Sequence, residues 1–277
     1  MAYAYAHDGT RIFYRVAGPD DGPPLLLLHG LGTDGLGWML QRRAFTARYR
    51  CIIVDNRGSG RSDKPTGPYR LEDLAADAVA VLDHEHIDSA HVMGASMGGA
   101  LTQIMGALHP DRVRSMVLAC TACQLQPWRQ ELLEDWVEQA RTQGMHRWMT
   151  NNLQWLIGPR SMRRLWPVAN VIGLLAQRAP VHGLIGQLQA LLAVDDELMN
   201  ELVNIDAPTL IVVGSQDILT PVADSELLAA TIPGSRLAVI RGAAHGLMIE
   251  HARIFNDTVL EFLDEVSGLT EADTAAA

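Results

Sequence analysis

The chain has 277 residues, 48% of them hydrophobic and 19% charged, enough apolar material for one large α/β domain or for a domain with an insertion. Acidic residues outnumber basic ones by 32 to 22, a net charge of -10, which argues against nucleic acid or an anionic membrane surface as the partner. The balance does not set the sign of a small substrate, because a pocket carries its own local field.

The first residues, Met1-Ala2-Tyr3-Ala4-Tyr5-Ala6-His7-Asp8-Gly9, lack a basic region and an apolar run, so no signal peptide is expected. No apolar stretch approaches the length of a membrane span. Cys51, Cys120 and Cys123 are odd in number and form no repeated pattern of pairs, and the expectation is reduced thiols in a cytoplasmic protein. Cys120-Thr121-Ala122-Cys123 has the spacing of a redox pair or half a metal site. No second pair or nearby histidine completes it, so neither a metal nor a cofactor is expected.

In chain order, residues 3–6 and 11–16 flank His7-Asp8-Gly9-Thr10 and read as a hairpin. Leu25-Leu26-Leu27-Leu28 reads as a strand buried on both faces, as parallel strands do. The Gly-rich loop His29-Gly30-Leu31-Gly32-Thr33-Asp34-Gly35 follows, then a helix over 38–48, a buried strand over 51–54 and an amphipathic helix over 71–82. Strands are expected at 91–94 and 113–118, with a helix over 100–109 between them. From Gln124 to about Asn204 the pattern is helical throughout, and five of the six tryptophans fall in it: Trp128, Trp136, Trp148, Trp155 and Trp166. Strands return at 208–214 and 236–240, helices at 222–231 and 252–266, and residues 267–277 read as a polar, frayed tail. The fold class is therefore α/β, a mostly parallel sheet with helices on both faces and an inserted all-helical cap. The core is assigned to 1–122 and 206–277 and the cap to 123–205.

Gly94-Ala95-Ser96-Met97-Gly98 lies between a buried strand and an apolar helix. A G-x-S-x-G pattern there puts the serine on a strained turn, with glycines where side chains would collide and a helix N-terminus beneath to receive negative charge. Alone, the pattern also fits an ordinary Gly-rich turn. A serine hydroxyl needs an adjacent base, and open α/β sheets gather their sites at the C-terminal ends of the strands. Asp217 follows the strand at 210–213 and His245 the strand at 237–240, so both reach the edge that carries Ser96. The order Ser, Asp, His is one of the known solutions to this geometry.

These motifs together resemble the α/β-hydrolase family: His29-Gly30-Leu31-Gly32, Asp55-Asn56-Arg57-Gly58-Ser59-Gly60-Arg61-Ser62, the Ser96 turn, Gly214-Ser215-Gln216-Asp217 and Ala243-Ala244-His245-Gly246. The resemblance runs over nearly the whole chain and is weakest in the insertion. It implies Ser96 as nucleophile, His245 as general base and acid, Asp217 as its orienter, and the backbone N–H groups of Leu31 and Met97 as the oxyanion hole. It implies a structural His29, and Asp55 and Arg57 as loop supports. Within the family the chain is most similar to 3-oxoadipate enol-lactonases and related cap-bearing esterases, through Leu31-Gly32-Thr33-Asp34 and Gly67-Pro68-Tyr69. Cofactor-free haloperoxidase-like perhydrolases and C–C bond hydrolases share the same triad and remain alternatives.

Two readings from other classes compete. Gly30-Leu31-Gly32-Thr33-Asp34-Gly35 also fits the G-x-G-x-x-G of an NAD-dependent oxidoreductase, with Asp55 as the ribose acid; that reading leaves Ser96, Asp217 and His245 unexplained. A non-catalytic ligand-binding member would keep the scaffold without the chemistry. The expected partner is a small, partly apolar molecule, and a homo-oligomer is left open. Trp128 and Trp155 are candidate pocket walls. Arg160, Arg163 and Arg164 are either a solvated helix face or an anchor for a substrate carboxylate.

Overall fold

The computed structural model describes residues 2–163, 180–194 and 197–269. Strands β1 (Ala2–Tyr5), β2 (Arg11–Ala17), β3 (Pro24–Leu28), β4 (Arg50–Val54), β5 (Ala90–Ala95), β6 (Val113–Ala119), β7 (Thr209–Gly214) and β8 (Arg236–Ile240) form one sheet in the order β1-β2-β4-β3-β5-β6-β7-β8. The pairings β1–β2 and β2–β4 are antiparallel. All later pairings are parallel.

The unbroken leucine run of β3 is explained by helices on both faces. Leu26 and Leu28 join one core with Ile52, Val92, Leu118 and Ile211, whereas Leu25 and Leu27 join another with Ile53, Met93, Val117 and Val212. Helices α1 (Met39–Phe45), α2 (Leu71–His84) and α3 (Met97–Leu108) follow β3, β4 and β5. The helical region holds α4 (Pro127–Leu156), α5 (Val181–Leu192) and α6 (Glu197–Leu202), and the core closes with α7 (Val222–Thr231), α8 (Leu247–Glu250) and α9 (Ala252–Ser267). On α9, Phe255, Val259, Phe262 and Leu263 form one buried helical stripe. Each such side chain contributes about 1.5–3 kcal/mol by leaving water.

Several boundaries differ from the sequence reading by one to three residues, among them α3, which starts at Met97 where 100 is expected, and two further ends have a visible cause. The helix expected over 38–48 is a 3-10 turn, Gly35–Trp38, running into the short α1; the Arg48 and Tyr49 amides then turn back onto the Phe45 carbonyl, which closes the helix and buries Tyr49. Ser267 belongs to α9 and not to the tail, because Gly268 (φ 66°) supplies the left-handed cap one residue later. Residues 270–277 lie outside the described residues.

Among the described residues no strand interrupts the region between β6 and β7. Its helices share a small core of Leu133, Trp136, Trp148, Leu184 and Leu188, into which Leu219 from the loop after β7 also packs. Trp136 and Trp148 meet edge to face at 5.5 Å. Gly144 breaks α4 at φ 77°, a left-handed backbone that glycine adopts at little cost. No described helix is long and apolar enough to cross a membrane.

Candidate active site

Strand β5 ends at Ala95 and helix α3 begins at Met97, which leaves Ser96 at the apex with φ 55° and ψ -118°. That backbone costs an L-residue about 1–3 kcal/mol and persists only where its surroundings hold it. Here the Ser96 amide donates to the Ala119 carbonyl at 2.9 Å. The Ser96 carbonyl accepts from the Gly99 amide at 2.8 Å and from Thr121 Oγ1 at 2.9 Å. The flanking glycines are sterically required. A Cβ on Gly94 would stand 1.9 Å from the Gly98 oxygen, and one on Gly98 would stand 2.1 Å from the Leu28 oxygen.

The loop after β3 folds against this apex: a Cβ on Gly30 would lie 3.3 Å from Ser96 Cβ. Among the described residues neither the Leu31 nor the Met97 amide donates to an intramolecular acceptor. His29 braces the loop. The Asn56 amide donates to its Nε2 at 2.9 Å, so the ring hydrogen sits on Nδ1, which donates to the Gly30 oxygen at 2.9 Å. Burial lowers the His29 pKa and keeps the ring neutral.

Asp55 receives the Gly35 amide on one oxygen at 2.8 Å and the Arg61 amide on the other at 2.9 Å. Both its oxygens thus tie loops together, where the dinucleotide reading needed a ribose acceptor. Arg57 is held by Asp77 through two bonds of 2.8 and 2.7 Å and by Asp8 at 2.6 Å.

Asp217 and His245 come to the same edge as Ser96 because β5, β6, β7 and β8 are parallel neighbours in the sheet. Their two loops pack backbone on backbone: a Cβ on Gly214 would lie 2.3 Å from the Ala243 oxygen, and the Gln216 amide donates to that oxygen at 2.8 Å. His245 Nδ1 donates to Asp217 Oδ2 at 2.9 Å, with both residues buried. A carboxylate accepts only, so this bond puts the hydrogen on Nδ1 and leaves the Nε2 lone pair available. Asp217 Oδ1 accepts from the Leu219 and Thr220 amides, each at 2.9 Å, and Oδ2 from Thr220 Oγ1 at 2.8 Å. Burial pushes the Asp217 pKa up, but its electrostatic interaction with His245 and these hydrogen bonds outweigh it, and the net shift is downward. Ser96 Oγ makes no hydrogen bond to His245 in this structure; such contacts commonly shorten when substrate binds.

The cap residues named from sequence are spread out. Trp128 is 40% exposed, with the Arg129 guanidinium 4.9 Å from its ring centre. Trp155 is half-buried against the cap core. Arg160 and Arg163 are exposed on a helical stretch over 159–163, and Arg164 and Trp166 lie outside the described residues. Trp148 reaches the loop after β3: its ring lies 3.4 Å from where a Gly32 Cβ would stand. Between the end of α4 and the loops after β7 and β8 opens a cleft of about 300 Å³, walled mainly by Ile157, Pro159, Met162, Gln216, Ile218 and Ala244.

Three supporting residues escaped the sequence reading. Thr220 sits three positions after Asp217, a local Asp-x-x-Thr turn pattern that was there to be found. Arg129 and Gln187 act across 90 and 155 residues of chain, and no local pattern marks them. Arg129 donates to the Leu219 oxygen at 3.0 Å and pairs with buried Asp224. The cap also grips the histidine loop: the Gly246 amide donates to the Leu156 oxygen at 2.5 Å, and Glu250 accepts from both Ala244 and Gly158 amides at 3.1 Å.

The family described as "alpha/beta hydrolase fold" matches residues 23–252. A 3-oxoadipate enol-lactonase of Acinetobacter baylyi is 30% identical over 252 residues, 89% of this chain and 90% of that protein. RutD of Azorhizobium caulinodans, provisionally named a carbamate hydrolase, is 28% identical over 270 residues, 95% of this chain and 98% of its own. Among solved structures, the enol-lactonase from Burkholderia xenovorans superposes with a TM-score of 0.88 at 32% identity, covering 95% of this chain and 99% of that one. The chain belongs to the α/β hydrolase fold family, and it is a hydrolase.

Proposed function

We propose that the protein is a serine hydrolase that opens a small ester or lactone through an acyl-enzyme. In this reading Ser96 attacks the carbonyl while His245 Nε2 takes its proton, and the oxyanion rests on the Leu31 and Met97 amides. Collapse of the tetrahedral intermediate expels an alkoxide or enolate, which His245 protonates. Water then repeats the cycle on the acyl group. Asp217, kept anionic by its hydrogen bonds, orients the imidazole and stabilises its charged form.

One observation carries the reading: a strained serine at the end of β5 stands against the loop after β3, the Leu31 and Met97 amides of these two segments lack acceptors among the described residues, and the same sheet edge holds the His245–Asp217 pair. The apolar side chains that close over the loop after β3, Leu184 and Trp148 against Gly32, support a small, partly apolar substrate. The names of the relatives, an enol-lactonase and a provisional carbamate hydrolase, support the cleavage of an acyl bond. The three cysteines are unpaired and buried, which supports a reducing compartment, the cytoplasm.

The test is Ser96→Ala on short p-nitrophenyl esters, with a parallel screen of enol-lactones, methyl esters and carbamates in the presence and absence of peroxide. The variant is expected to fold and to lose more than about a thousandfold in kcat. Undiminished hydrolysis by that variant overturns the proposal.

A further inference from the structure

We propose that Gln187, on cap helix α5, is a positioning residue for the oxyanion loop, so that the cap sets the geometry of catalysis as well as covering the site. The inference rests on the serine-hydrolase reading above. Helix α5 meets the core through one face, formed by Gly183, Leu184, Gly186 and Gln187. A Cβ on Gly183 would come within 2.2 Å of the Gly58 oxygen, and one on Gly186 within 2.6 Å of the Tyr69 ring, so the helix sits directly on the loop after β4.

That approach buries Gln187 completely and commits its amide. Its Oε1 accepts from the Gly32 amide at 3.1 Å, and its Nε2 donates to the Arg57 oxygen at 2.8 Å and to Ser59 Oγ at 2.9 Å. Both Nε2 hydrogens are used, so the group is a brace between two loops and offers no donor to a ligand. The loop it braces against is itself anchored, because Arg57 is paired with Asp77 and Asp8.

Gly32 immediately follows Leu31. Fixing the peptide between them fixes one end of the residue whose N–H would meet the oxyanion. Gly32 has φ 64°, with Leu184 and Trp148 closing over it. Without Gln187 its half-buried amide loses this acceptor, and the segment gains freedom to rotate the Leu31 N–H away from Ser96. A misplacement of about 1 Å at such a site can cost about a hundredfold in rate. A missing oxyanion donor costs about 10²–10³-fold in kcat.

The experiment compares wild type with Gln187→Met, which keeps the volume and removes all three hydrogen bonds. The readouts are kcat and KM on p-nitrophenyl acetate and the inhibition constant of a trifluoromethyl ketone, whose adduct with the serine places an oxyanion in the same hole. We expect kcat to fall about 10–100-fold with KM within about threefold, and the inhibition constant to rise in proportion. A merely structural role would not separate kcat from KM in this way. If Gln187→Met does not fold, Gln187→Asn, which withdraws the acceptor by one methylene and leaves room for water, carries the same expectation. A folded variant with kcat within twofold of wild type, or with the loss confined to KM, overturns the inference. Failure of the underlying reading is distinguishable: wild type would then form no ketone adduct, and Ser96→Ala would still hydrolyse the ester.

Discussion

His91 offers a quantitative test of how the sheet is fastened to the C-terminal helix. It lies 3% exposed on β5, with Ser115 Oγ 2.8 Å from Nδ1 and Ser267 Oγ 3.1 Å from Nε2. Ser267 spends its own hydrogen on the Leu263 oxygen, so it accepts from Nε2–H, and Nδ1 accepts from Ser115. The ring is thus satisfied while neutral. Burial, aided by the positive charge of Arg114, pushes its pKa down to about 4 from the ordinary 6.5. Above pH 6.5 the ring is neutral whether the chain is folded or unfolded, and it adds no pH dependence. As pH falls below 6.5 the unfolded chain binds a proton that the folded chain refuses, and stability drops until about pH 4. At 1.36 kcal/mol per pH unit the full loss is about 3 kcal/mol, and about 2.5 kcal/mol of it is reached by pH 4.5.

The assay is urea unfolding of wild type and His91→Gln from pH 8 to 4.5. His29, lowered in the same direction, contributes a similar slope to both proteins and cancels in the difference. Relative to wild type, the variant is expected to gain about 2.5 kcal/mol on going from pH 8 to 4.5, whatever its stability at pH 8. A difference that stays constant with pH refutes the reasoning, because the buried ring would then not be the group refusing the proton.

Thr220→Val removes the hydroxyl that donates to Asp217 Oδ2 while keeping the shape. It is expected to lower kcat by about tenfold with little change in KM, checked by steady-state ester hydrolysis at saturating substrate. Arg129→Met leaves the buried Asp224 carboxylate without its partner and frees the Leu219 carbonyl beside the acid loop. Chemical unfolding is expected to show a loss of about 3–5 kcal/mol, and adding Asp224→Asn should recover part of it.

The parallel sheet was legible because a strand buried on both faces needs apolar residues in succession, as in Leu25 to Leu28, and the helices between declare themselves by their 3.6-residue period. Ser96, Asp217 and His245 were legible because each sits just past a strand that must end at the same edge, and glycines mark the turn where a Cβ collides with backbone. Helix ends were less so: α1 stops at Phe45 because Tyr49 turns inward, a tertiary event with no local signature.

The sequence by itself determined the sheet, the strained serine and the candidate acid and base, since these depend on local periodicity and on steric exclusion within a few residues. Only the tertiary structure decided how the helical insertion takes part. Gln187 on Gly32, Arg129 on Leu219 and Leu156 on Gly246 each join a cap residue to a loop of the site across 90 residues or more. A buried amide or guanidinium finds its partners by where helices pack, and residue spacing along the chain carries no record of that.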